Sequence, residues 1–97
     1  MANNGDIRSM ILGENGEALR SVTWSAPAGS SPFFGWMGDE GFTSVRISEI
    51  QCLFPNPQRR DQYVMTLHGV QLLINVEDAY RLMRRIGWTQ PQGEHRA

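Results

Sequence analysis

The stretch from Tyr63 to Gly87 leaves this chain the least freedom. With His68-Gly69 as a two-residue turn, Leu67 faces Val70, Met65 faces Leu72 and Tyr63 faces Ile74. A single register thus aligns three apolar cross-strand pairs on one face. Val64, Thr66, His68, Gln71 and Leu73 take the other side, mostly polar apart from Leu73, as in a sheet wetted on one face. The second strand runs directly into a helix. Asn75 is a good N-cap and Gly87 a good residue for the position just past the helix end. At 100° per residue, Val76, Ala79, Tyr80, Met83 and Ile86 occupy an arc of about 120°, the width of a core-facing stripe. Glu77 and Asp78 sit in the first turn and Arg84 and Arg85 in the last, matching the helix dipole. The fold expected is α+β: a small antiparallel sheet of four or five strands with one C-terminal helix packed on one face.

The remaining strands are read upstream. Asn15-Gly16 is a hairpin signal between Ile7–Leu12 and Glu17–Trp24, although the apolar pattern there leaves the register open. Thr43 to Ile47 alternates in one phase and Ile50, Cys52 and Phe54 in the other, so a break is expected near Ser48-Glu49. The prolines at 55 and 57 mark an exposed connection as far as Asp61. At 97 residues the chain suits one domain, expected to be ordered over about 6–88 with a frayed polar tail at 89–97. It has no run of 18 apolar residues and no basic, apolar leader after Met1, so no membrane association and a cytoplasmic location are expected.

The strands, tight hairpin and closing helix between Val45 and Ile86 resemble, in pattern, small flagellar regulators of the FlbD type and the first part of LytTR DNA-binding domains. The chain lacks the His-Arg-Ser segment of the latter, and no functional residue is carried across from either family.

Motifs for catalysis are missing. Neither His68 nor His95 has a sequence-local partner, and there is no Gly-x-Ser-x-Gly, His-Glu-x-x-His, Walker or Cys-x-x-Cys pattern. The single cysteine, Cys52, alternates with Ile50 and Phe54 and reads as a small apolar residue rather than a metal ligand. No enzyme, cofactor or metal is therefore expected.

Two features point to binding. Trp24 to Phe42 holds five aromatic residues among glycines and prolines, too many rings for plain disorder. Either the rings fold back over the wet sheet face near Val22, Trp24 and Leu73, or Phe33, Phe34 and Trp36 project from a Gly-hinged loop as an anchor with Asp39 and Glu40 at its rim. The second feature is arginine: all nine basic residues are Arg, a cation suited to interfaces. Arg81 is neutralised by Glu77 and Asp78, which leaves Arg84 and Arg85 to join Arg59 and Arg60 in a patch if the proline loop lies near the helix end. A net charge of -1 disfavours a general polyanion binder. The expectation is a small stand-alone, non-enzymatic module that binds a protein or protein complex and blocks or regulates it, a class that includes phage and mobile-element inhibitors of the anti-CRISPR type. The alternative is a nucleic-acid-binding bacterial regulator.

Overall fold

The computed structural model describes residues 8–14 and 18–88. Its strands are β1 (Arg8–Glu14), β2 (Ala18–Trp24), β3 (Phe33–Gly38), β4 (Gly41–Arg46), β5 (Cys52–Pro55), β6 (Gln62–Leu67) and β7 (Val70–Asn75), followed by one helix, α1 (Val76–Arg85). Five strands form a sheet in the order β2-β1-β5-β6-β7, while β3 and β4 pair only with each other. The domain is α+β with its helix packed on the sheet.

The hairpin of β6 and β7 has the register expected, from Leu67 opposite Val70 to Tyr63 opposite Ile74. Both turn residues have positive φ, 52° at His68 and 75° at Gly69. That is the type I′ geometry, whose twist matches the flanking strands. At the helix start, the Asn75 side chain accepts a hydrogen bond of 2.9 Å from the Asp78 amide. At its end Gly87 has φ 82°, its amide donates to the Arg84 carbonyl, and the Trp88 amide donates to the Met83 carbonyl. These two bonds make a Schellman motif, and they turn Trp88 back into the core.

The sheet departs from expectation in one respect: β1 and β5 run parallel, with Ile11 beside Cys52 and Leu12 beside Leu53. Because β2 returns antiparallel beside β1, it ends where β5 begins, and residues 25–51, which include β3 and β4, carry the chain past β1 into the neighbouring position of the sheet. The chain enters β5 through a short 3-10 turn, Ile47–Glu49, where the alternation changes phase. In the first hairpin Met10 faces Val22 and Arg8 faces Trp24, so Val22 and Trp24 share a face with Met10 and Leu12 rather than with Ile11. Ile7, the Asn15-Gly16 turn and the 89–97 tail lie outside the described residues.

The core gathers on one face of the sheet, where Met10, Leu12, Leu53, Met65 and Ile74 are essentially fully buried. Two covers close it: α1, through Ala79, Leu82, Met83 and Ile86, and the β3–β4 hairpin, through Phe34, Trp36 and Val45. Leu82 was not in the expected stripe, and Tyr80, which was, keeps 36% of its surface. The buried arc of the helix is turned by about 50° from the one read by periodicity. The cause is the second cover, which packs beside α1 and draws Leu82 under it. On the opposite face Ile11 and Leu73 remain exposed, and Val64 is a buried apolar residue that stands apart from the core cluster.

Candidate functional site

The segment expected as a loop is an arm of two strands. Alternation sends Phe34 and Trp36 inward from β3 and Val45 inward from β4. Phe34 and Trp36 are each only 3% exposed, with ring centroids 6.0 Å apart. The expectation that Phe33, Phe34 and Trp36 project together is thereby corrected. The two inner rings do fold back, but onto the core face beside α1 and not onto the wet face of the sheet. Burial there takes nearly all of the apolar surface of both rings out of water, which stabilises the folded chain.

The outer side of the arm is the reverse of the inner one. Phe33, Met37 and Phe42 are 44, 67 and 69% exposed. Met37 and Phe42 are cross-strand partners, and the Phe42 ring lies over Gly35, where any Cβ would overlap it. Gly35 thus lets the ring lie flat along the arm. The Arg46 guanidinium stacks 4.8 Å from the Phe33 ring centre. Asp39 and Glu40 form the exposed tip between the two strands. Met37 and Phe42 were not among the residues read from sequence. The signal that would have found them is the alternation either side of Gly38-Asp39-Glu40-Gly41, a hairpin pattern inside a segment dominated by its glycines and prolines.

The arm is held rigid from one side by two helix arginines. Arg81 donates to the Gly35 carbonyl at 3.1 Å and to the Asp78 carboxylate at 2.8 Å, while stacking 4.9 Å from the centre of Phe34. Arg85 donates to the Phe33 carbonyl at 3.0 Å and also to the Ser31 carbonyl. These carbonyls lie on the edge of β3 away from β4, so the guanidiniums occupy hydrogen-bonding positions that an exposed strand would offer to another chain. Arg85 is therefore a clamp on the arm and not a free cation, which corrects its expected grouping with Arg59 and Arg60.

The other arginines separate. Arg59 forms a two-pronged pair with Asp61, at 3.2 and 3.0 Å. This hydrogen bond raises the Arg59 pKa and lowers that of Asp61 below the usual carboxylate value. Asp39 at the arm tip acts on Arg59 through its charge. Arg59 and Arg60 border a cleft beside Val76 and Tyr80, in the first half of α1, whereas Arg85 lies further along the axis, by roughly 7 Å from Tyr80 and roughly 13 Å from Val76. Arg84 lies on the Tyr80 side of the helix, one turn on. His68 has a tertiary partner that no local pattern shows: its Nε2 is 3.0 Å from Glu49 Oε1, on the surface. Cys52 is half-buried on the open face of the sheet. Among the described residues, no group of three His, Cys, Asp or Glu could hold a metal ion. No described helix is long and apolar enough to cross a membrane.

Comparison with known proteins returns no match: no family model, no curated protein and no solved structure is significantly similar to this chain.

Proposed function

We propose that this chain is a non-enzymatic module that binds a partner protein through the outer face of its arm and blocks or regulates the complex to which that partner belongs. The carrying observation is the exposure of Phe33, Met37 and Phe42 on a hairpin whose other side is locked into the core. Large apolar side chains grouped on a rigid element, with charges at the margin, have the anatomy of an interface hot spot. Arg46 stands at one end of this surface and Asp39 and Glu40 at the other. A preorganised arm also loses little conformational entropy on docking. A rigid arm with an exposed aromatic face on a small domain is the kind of surface a compact inhibitor carried by a phage or mobile element, of the anti-CRISPR kind, would use. Against the nucleic-acid reading stands the use of Arg59, Arg81 and Arg85 within the fold, which leaves few cations for phosphates.

The test is affinity capture from a bacterial lysate with nuclease treatment, comparing the native chain with Met37→Asp and Phe42→Asp. The expected result is one protein partner, retained after nuclease and at raised salt and lost with either variant. Equal recovery by the variants, or binding abolished by nuclease, would refute the proposal.

A further inference from the structure

A cleft of about 670 Å³ opens on the side of the domain where the proline loop meets the first half of α1. Its volume falls within the range of small-molecule sites, roughly 300–1,000 Å³. Phe54 and Pro55 from the end of β5, Tyr63 from β6 and Tyr80 from α1 give it apolar and aromatic walls, and Arg59 and Arg60 border it. Tyr63 and Tyr80 meet edge to face, with centroids 6.1 Å apart, so Tyr80 presents its remaining surface to the cleft. The walls are built, not fluid. The Asn56 side chain donates to Gln62 and accepts from the Gln58 amide, and the Asn56 amide donates to the Gln62 carbonyl. These bonds fasten the proline loop to β6.

The two arginines at this cleft differ in what they can still do. Arg59 is neutralised by Asp61, and Asp39 adds a further negative influence on it. Arg60, the adjacent residue, has no hydrogen-bond or ion-pair partner among the described residues. A guanidinium free to fork onto two oxygens thus stands beside aromatic walls.

We infer that this cleft is a binding site for a small organic anion in which an aromatic ring carries a carboxylate or a phosphate. The ring packs against Tyr80 and Pro55, and the anionic oxygens accept from Arg60. This site shares no residue with the outer face of the arm, so each can fail without the other.

The experiment is an amide NMR titration of the full chain with phenylacetate and, separately, phenyl phosphate, with benzyl alcohol as the uncharged control. Saturable shifts centred on Phe54, Arg60, Tyr63 and Tyr80 are expected below about 10 mM, an affinity above roughly 3 kcal/mol. Arg60→Gln is expected to weaken binding at least tenfold without altering the rest of the spectrum, and Arg20→Gln, on the far edge strand, to leave it unchanged. The tighter of the two probes separates a carboxylate ligand from a phosphate ester. The inference is overturned if neither anion produces saturable shifts, if benzyl alcohol binds as well as they do, or if Arg60→Gln binds like the native chain.

Discussion

Truncating Phe34 to Ala tests whether the arm is part of the core or an appendage on it. The ring is 3% exposed, sits 6.0 Å from Trp36 and carries the Arg81 guanidinium 4.9 Å above it. Removing a buried phenyl ring costs about 3–5 kcal/mol, because the lost transfer energy and the cavity add. The stacked arginine adds about 0.5–1 kcal/mol at a partly exposed site. A loss near 4 kcal/mol is a large share of the 5–15 kcal/mol typical of a whole domain. For a chain of this size it corresponds to a fall in Tm of roughly 15–30 °C. Phe42→Ala is the internal control, since that ring is 69% exposed and its removal should cost within about 0.5 kcal/mol. Urea unfolding followed in parallel by far-ultraviolet circular dichroism and tryptophan fluorescence reads both quantities. The two signals should move together, because Phe34 and Trp36 belong to the cluster that includes Met65 and Ile74. A loss below about 1 kcal/mol for Phe34→Ala, or a separate early transition seen only by fluorescence, would show that the arm is not an integral cover.

Two further outcomes follow from the arginines. Arg85→Ala removes both hydrogen bonds from its guanidinium to the β3 edge; it should cost about 1 kcal/mol and promote self-association through the uncovered strand, measurable by sedimentation velocity. Asp61 is held below its ordinary pKa chiefly by the hydrogen bond from Arg59, so the stability from that pair is complete above the unfolded carboxylate value and is lost as pH falls through the lower, folded one. Arg59→Ala should therefore move the Asp61 titration upward in a carboxyl-carbon NMR experiment, and an unmoved titration would refute the pairing.

What could be read without a structure is confined to features whose physics is local. The β6–β7 register, the two-residue turn at His68-Gly69, the Asn75 cap and the Gly87 stop all depend on residues within a dozen positions of one another, and each has its own stereochemical requirement. The phase change near Ser48 and the proline connection are of the same kind. The tertiary structure alone decided the rest. Whether β5 lies beside β1, in parallel, or beside β2, antiparallel, depends on where the 25–51 connection sets the chain down, and short-range alternation is identical for either direction. Periodicity placed the helix stripe but could not know that a second cover lies beside α1, so it missed Leu82 and overstated the burial of Tyr80. The same blindness governed the candidate site. Phe33 and Phe34 are neighbours of identical composition, and only the facing of the arm makes one a surface residue and the other core. Arg85 looked like a spare cation because its partners, the carbonyls of Ser31 and Phe33, lie more than fifty residues away along the chain. Backbone acceptors have no sequence signature, so a guanidinium that serves them can be recognised only once the chain has closed on itself.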